Sequence, residues 1–462
     1  MFRLILATLL LSSLTACAPP REAGPASRLA PPTEALPPLQ RFATQPARAP
    51  QRSNREIAAD ILELGFRMES GREIPQFSRF EGPVALQITG RVPSGVEGEI
   101  DRLLDRLRRE AGLDIRRFGA DAHAPRGRIT VEFLARRQMQ AAVPQAACFI
   151  LPRISGWADF RANRRSPRLD WTTVVERESV AVFVPADVPP QEIRDCLHEE
   201  VAQALGPLND LYRLHESVWN DDNFQTVLTG FDMLVLRVWN DPALRPGMRR
   251  DEVAARLPAI LARLNPAGER IPPGPTPRQS PRAWIDSVEA ALGPHSSRSA
   301  RRAAAERALA IARDEGWSDA RLGLAHFLRA RMAGPREADV ALSSFVRAGQ
   351  IYASLPGGEV HAAHVDMQLA AFALSAGHFD EALALARRAQ PAARASENAA
   401  LLASLQMVQA EALERLGQTS AARTVRLDSL GWARYGFGDD MRVRARLAEI
   451  AALAPPSREV RR

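Results

Sequence analysis

The spacing of apolar residues divides the chain into an α/β part and an all-helical part. Residues 129–133 alternate apolar and polar side chains, residues 180–184 form a continuous apolar run, and both patterns predict β-strands. Residues 99–110 carry isoleucine and leucine at the spacing of one helical face, which predicts an α-helix. Beyond residue 283 only the helical period continues. The predicted fold class is therefore an α+β domain followed by an all-α domain.

The all-α part repeats itself along the sequence. Its small and apolar positions recur after 41 residues, as Ala341 and Ala382, Phe345 and Ala386, and Ala348 and Ala389. Small residues let paired helices approach closely, and the pattern resembles a tetratricopeptide array with a period longer than usual. Such an array implies a concave surface that binds protein partners. An alanine-rich helical bundle without true repeats is the alternative.

Proline-rich stretches mark the boundaries between the parts. Residues 18–53 are rich in Pro, Ala and Arg and have no apolar period, which predicts a tether. The predicted division of the chain is a signal peptide at 1–17, the tether at 18–53, the α+β domain at 54–262, a proline-rich linker at 263–282, the helical repeats at 283–454 and a tail at 455–462.

The first residues predict export and lipid attachment. Arg3 supplies a positive charge, residues 4–14 form a short apolar run, and residues 14–17 have the sequence Leu-Thr-Ala-Cys of a bacterial lipobox. The apolar run is too short to remain in a bilayer as a spanning helix. Cys17 is therefore predicted to carry the lipid. Residue 18 is Ala rather than Asp, which by resemblance to Gram-negative sorting rules favours the outer membrane over the inner one. The predicted location is the bacterial cell envelope, on the outer membrane facing the periplasm, with the inner membrane as the alternative.

The chain contains three cysteines. Lipid attachment uses Cys17 and leaves Cys148 and Cys196, and the cell envelope is an oxidising compartment. An even pair in one domain predicts a structural disulfide, because no Cys-x-x-Cys redox motif is present. Two buried free thiols are the alternative.

The charged residues do not indicate a nucleic acid partner. The 61 basic residues are all arginines, against 54 acidic residues, and the formal net charge is +7. The arginines are spread over the chain and interleaved with acidic residues, as on an ordinary solvated surface. The predicted partners are therefore proteins, through the helical repeats, and the membrane, through the lipid on Cys17.

The segment that begins at Glu199 resembles the zinc-binding helix of metzincins. In the pattern H-E-x-x-H-x-x-G-x-x-H, three histidines bind zinc and the glutamate polarises a water molecule. Glu199, Gln203 and Asn209 stand at the three histidine positions, while Glu200 keeps the general-base position and Gly206 the bend. The resemblance implies a metzincin-like (zincin-like) fold that has lost its zinc chemistry.

The resemblance continues after the bend. Residues 217–219 stand where the methionine turn of metzincins would be, with tryptophan in place of methionine, and Thr229 with Asp232 predicts a capped start for the closing helix. The block 196–248 resembles an uncharacterised bacterial group, domain-of-unknown-function family 2927. That resemblance covers roughly residues 80–255 and implies no activity.

Hydrogen bonding is the main interpretation of the substituted positions. Glu199, Gln203, Asn209 and Asp210 can form one polar network that holds the helix to the following loop. Without a metal to lower the pKa of a bound water, Glu200 alone does not make a hydrolase. The sequence therefore predicts no catalytic residue, no metal and no cofactor, as expected of a pseudoenzyme.

Two metal sites remain as alternatives. The oxygens of Glu199, Gln203 and Asn209 would suit a hard cation such as calcium only with several more oxygen ligands, and Asp210, Asp221 and Asp222 would supply them. His198 and His215 would form an unorthodox zinc site, although Ala202 then occupies the place of the second histidine.

The predicted function is that of a lipid-anchored cell-envelope protein whose non-catalytic metzincin-like domain and helical repeats act in protein binding or scaffolding. The alternative is a divergent metallohydrolase that acts on envelope protein or on peptidoglycan peptide. The metal content of the purified protein distinguishes the two.

The lipobox yields the first testable prediction. Cys17→Ser removes the lipid acceptor, so the chain should accumulate as an uncleaved precursor that takes up no labelled fatty acid. Metabolic labelling and membrane fractionation measure both effects. Normal cleavage and labelling of the Cys17→Ser chain would show that the lipobox assignment is wrong.

Overall fold

The computed structural model describes residues 36–43, 47–119, 125–144, 146–275, 278–293, 296–334 and 336–455. They form two compact units, one made mainly of residues 44–188 and 193–282 and the other mainly of residues 283–462. The first unit is α/β and the second is helical, which confirms the coarse fold class. The predicted signal peptide and Cys17 lie outside the described residues. Within the described ranges, no helix has the length and apolar character needed to cross a membrane.

The first unit is built on a mixed β-sheet. Its described strands are β1 (Arg79–Phe80), β2 (Val84–Gly90), β3 (Ile115–Arg117), β4 (Gly127–Leu134), β5 (Phe149–Pro152), β6 (Glu176–Arg177) and β7 (Ser179–Pro185). The order in the main sheet is β3-β2-β4-β7-β5, and β5 alone runs antiparallel to its neighbour. Strands β1 and β6 form a separate parallel pair. The strands predicted at 129–133 and 180–184 are confirmed.

The core of this unit lies on both faces of the sheet. Residues 180–184 of β7 are completely buried, because a strand inside a largely parallel sheet is covered on each side. The helices of the unit are α1 (Asn54–Gly65), α2 (Val96–Ala111), α3 (Arg136–Ala142), α4 (Trp157–Asn163), α5 (Pro190–Leu205), α6 (Gly230–Trp239) and α7 (Arg250–Leu264). Helix α2 buries its predicted apolar face, including Ile100, Leu103 and Leu107.

A disulfide joins the sheet to helix α5. Cys148 and Cys196 are bonded, with their Cα atoms 5.9 Å apart. Cys148 directly precedes β5, and Cys196 lies near the middle of α5. The predicted pairing is confirmed, and it attaches α5 to the edge of the sheet.

The second unit consists of packed helices. They are α8 (Arg282–Leu292), α9 (Arg298–Asp314), α10 (Ala320–Met332), α11 (Ala338–Ser354), α12 (Glu359–Ala376), α13 (Phe379–Ala395), α14 (Ala399–Arg415), α15 (Thr419–Phe437) and α16 (Asp440–Ala451). From α9 onward each helix packs against the next one. The repeating small positions, Ala341 and Ala348 on α11 and Ala382 and Ala389 on α13, are all buried. The tetratricopeptide assignment itself stays a prediction.

Part of the predicted tether belongs to this helical unit. Residues 36–43 belong to no helix or strand, and apolar side chains among them pack with the core of α12 to α16. The proline-rich composition did not predict this packing.

Candidate functional site

Helix α5 forms one wall of a cleft in the first unit. The cleft encloses about 530 Å³, including the solvent at its mouth. Its wall is mainly apolar, with side chains from β5 and from the loops around it, and includes Met68, Val143, Ala146, Phe149, Ile150, Trp171 and Leu208. Four polar side chains of the lining, Glu69, Ser70, Glu200 and Gln203, supply the charge and hydrogen-bonding groups. The predicted general-base position thus faces a cleft that could hold a ligand.

A buried arginine holds the carboxyl end of α5. The guanidinium of Arg177 donates to the carbonyl oxygens of Gln203 at 2.9 Å and Ala204 at 2.8 Å, and to the hydroxyl of Ser78 at 3.2 Å. The last carbonyls of a helix have no partner within the helix and carry its negative dipole end, so a cation is well placed there. Burial lowers the pKa of Arg177 to about 9, which leaves it charged at neutral pH.

In the loop that follows α5, the neighbouring residues Asn209 and Asp210 have different hydrogen-bond partners. The side-chain nitrogen of Gln203 donates to the carboxylate of Asp210 at 3.4 Å. The side-chain nitrogen of Asn209 instead donates to the carbonyl oxygen of Glu63 at 3.2 Å, and its backbone nitrogen donates to that of Leu64 at 3.3 Å. Asn209, at the third histidine position, therefore fastens the loop to the end of α1, and Asp210 is the residue that meets Gln203.

Three carboxylates gather beside the Gln203 to Asp210 hydrogen bond. Oxygens of Glu69, Asp210 and Asp221 lie within 4.8 Å of one another. The predicted third member, Asp222, is turned elsewhere, where it accepts from the backbone nitrogen of Phe224 at 3.0 Å. Glu69 was missed because it is distant in sequence and follows no motif. The acidic group thus contains only two of the three aspartates predicted for it.

Glu199, which stands at the first of the three histidine positions of the metzincin pattern, lies beside the disulfide. Glu199 and Glu200 have carboxylate oxygens within 4.8 Å of the sulfur of Cys148, which cannot bind metal because it is bonded to Cys196. Zinc prefers imidazole and thiolate ligands, and here the three positions offer one carboxylate and two amides, one of which is engaged by α1. The residues present do not fit a metzincin zinc ion.

His198 has a structural environment. It is buried, and its Nδ1 accepts a hydrogen bond from the backbone nitrogen of Leu228 at 3.1 Å. Burial, with the positive charges of Arg106 and Arg194 nearby, lowers the pKa of His198 well below its usual value. The imidazole is therefore neutral at pH 7, with one ring nitrogen committed to the backbone.

Asp232 joins the turn at residues 217–219, called here the tryptophan turn after Trp219, to the start of α6. Its carboxylate accepts from the hydroxyl of Ser217 at 2.5 Å and from the backbone nitrogens of Val218 at 3.3 Å and Thr229 at 2.8 Å. The predicted capping box of Thr229 and Asp232 is present. Burial raises the pKa of Asp232 to about 6, and these hydrogen bonds act in the opposite direction.

Gly206 has a packing role at the end of α5. A Cβ atom there would lie 3.0 Å from Leu236 and 3.3 Å from Trp219. Both Trp219 and Trp239 are buried in the core and are not part of the cleft lining. The glycine therefore lets α6 and the tryptophan turn approach the helix closely.

The fold and the cleft define the first unit as a mixed-sheet α/β domain with a mainly apolar cleft beside α5 that contains the carboxylates of Glu69 and Glu200. Residues 54–259 match the family described as "Protein of unknown function (DUF2927)". The match supports assignment to that family, as the resemblance of the block 196–248 indicated. No curated protein and no solved structure matches the chain.

The environment of Asp232 predicts a pH dependence of stability. The pKa of Asp232 is about 6 in the folded protein and roughly 4 when unfolded, so the protonated carboxyl favours the folded state. This contribution to the free energy of unfolding is complete below about pH 4 and is lost as pH rises through 6. The Asp232→Asn chain should not show this loss, so the two stability profiles should diverge by on the order of 2 kcal/mol between pH 4 and 8. Urea unfolding from pH 4 to 8 measures it. Parallel profiles for both proteins would contradict the assignment.

Proposed function

We propose that the first unit is a metzincin-like domain that has exchanged catalysis for binding. We further propose that the chain is lipid-anchored in the bacterial envelope, where this domain and the helical repeats bind protein partners. The observation that carries the proposal is the hydrogen bond from Asn209 to the carbonyl of Glu63. Asn209 stands at the third metal-ligand position of the metzincin pattern, and its side chain bonds to the backbone of α1. A zinc enzyme would need a histidine at that position whose side chain points at the metal.

The order of elements supports the metzincin-like part of the proposal. A strand, a helix and further strands precede α5, as the resemblance implies. After the bend come the turn at 217–219 and a helix capped by Thr229 and Asp232, in the places that the resemblance assigns to the methionine turn and the closing helix. The polar contacts of Asp232 hold these parts together.

The cleft suits an extended peptide. Strand β5 is at the edge of the sheet, and Leu151 pairs with Ala181 of β7. The backbone nitrogen of Arg153 donates to Ser179 at 2.7 Å. Because hydrogen bonding alternates along an antiparallel pair, the N–H and C=O of Ile150 point away from β7. An added peptide strand would bond to them and place apolar side chains in the cleft.

A divergent metallohydrolase is the second candidate. Glu200 keeps the general-base position and lines the cleft. The acidic group of Glu69, Asp210 and Asp221 offers oxygen ligands to a hard cation. This candidate requires a bound metal and a measurable hydrolysis, and neither is needed for peptide binding.

Site-specific photo-crosslinking in cells tests the binding function. A benzoylphenylalanine at Val143, in the cleft, should form adducts with protein, whereas one at the exposed Val92 should not. Ile150→Pro removes the outward N–H, a change that edge strands tolerate, and should abolish the Val143 adducts without unfolding the chain. Adducts that persist in the Ile150→Pro chain would contradict peptide addition to β5.

Metal content and hydrolysis separate the two candidates. The purified chain should contain no stoichiometric zinc and should release no new amino groups from unfolded casein, with or without Glu200→Gln. Changing Glu199, Gln203 and Asn209 together to histidine should introduce zinc binding if the metzincin geometry persists. One metal per chain, together with hydrolysis that Glu200→Gln abolishes, would establish the metallohydrolase instead.

A further inference from the structure

Residues 36–42, with the sequence Leu-Pro-Pro-Leu-Gln-Arg-Phe, form a strap on the helical unit. Leu36 is buried, and Leu39 and Phe42 are half-buried against the core of α12 to α16. Pro38 and Arg41, which lie between them, are exposed. Contact with the helices thus recurs at every third residue, which is the period of a polyproline II helix. The strap therefore has one apolar face, which lies on the helices.

The backbone of the strap is held by α15. The backbone nitrogen of Gln40 donates to the carbonyl oxygen of Gly431 at 3.1 Å. The guanidinium of Arg434 donates to the carbonyl oxygens of Pro37 at 2.9 Å and Leu36 at 3.4 Å. Because residues 36–42 belong to no helix or strand, their main-chain carbonyl groups are available for such contacts. Recognition thus includes the main chain as well as the side chains.

Two residues of α15 are shaped for this contact. Gly431 lies inside the helix, where glycine is less favourable than alanine. A Cβ atom there would lie 2.6 Å from the side chain of Gln40. The ring of Trp432 stacks on that of Phe42, with centroids 4.3 Å apart and planes inclined by 26°. The glycine therefore gives the strap access to the helix, and the tryptophan anchors its end.

We propose that the face of α15 formed by Gly431, Trp432 and Arg434 is a docking groove for proline-rich linear segments with apolar residues three apart, and that residues 36–42 occupy it in cis. The strap is covalently tethered, so a high effective concentration keeps it bound even if its intrinsic affinity is weak. A partner segment of the same chemistry competes with it. The groove is thus a regulated interaction site of the helical unit, separate from the cleft beside α5.

Peptide binding to a full-length chain with a disrupted strap tests the groove. Leu39→Asp with Phe42→Asp introduces charges on the apolar face and should release the strap. A fluorescein-labelled peptide with the sequence of residues 36–43 should then bind this variant at least tenfold more tightly than the unmodified chain, as measured by fluorescence anisotropy. Adding Gly431→Ala should weaken that binding at least tenfold. Equal binding to the unmodified and strap-disrupted chains, or no effect of Gly431→Ala, would overturn the proposal.

A second variant tests the same contact without altering the strap. Gly431→Ala in the otherwise unmodified chain favours the helix itself, so α15 should remain folded while the strap is displaced. Trypsin should then cleave after Arg41 at least tenfold faster. The matched control is Gly98→Ala on α2, where the nearest atom to an added Cβ is 3.7 Å away, and it should leave cleavage unchanged. An unchanged cleavage rate in Gly431→Ala would also overturn the proposal.

Discussion

The attachment of helix α5 along its length is the constraint on which the cleft depends. The Cys148 to Cys196 disulfide ties its middle to the sheet, and the guanidinium of Arg177 ties its carboxyl end to β6 and Ser78. A buried charge is costly unless polar partners surround it, and here two helix carbonyls and a hydroxyl do so. These attachments fix the position of the helix beside the cleft.

The loop after α5 is held in place by helix α1. Asn209 donates to the end of α1, and Arg213 forms ion pairs with Asp60 at 2.7 Å and Glu63 at 2.8 Å. Arg213 and Asp60 are both buried, and removing one partner of such a pair costs about 3 to 5 kcal/mol because it leaves the other charge uncompensated. The loop is thus fixed by α1, and Asp210 is left to accept the hydrogen bond of Gln203.

The features predicted from the sequence are those with local signals. The apolar run at 180–184 predicted β7, and the spacing of Thr229 and Asp232 predicted a capped helix, because both depend on neighbours along the chain. Cys148 and Cys196 were paired because only two cysteines remained.

The contacts that shape the site are long-range. Glu69 reaches Asp210 and Asp221, and Arg177 reaches the end of α5, only after the chain has folded, so no periodicity or motif identifies them. The docking of residues 36–42 is of the same kind, because Gly431, to which the backbone of Gln40 bonds, is distant in the sequence.

Hydrogen exchange at the backbone amides of α5 tests the central claim most directly. If the disulfide and Arg177 hold the helix, a strong metal chelator should leave the exchange rates of residues 196–205 unchanged, and added zinc should not slow them. Reduction of the disulfide should speed exchange around Cys196. Faster exchange throughout the helix in the presence of chelator alone would contradict the account, because it would show that a metal ion holds α5 in place.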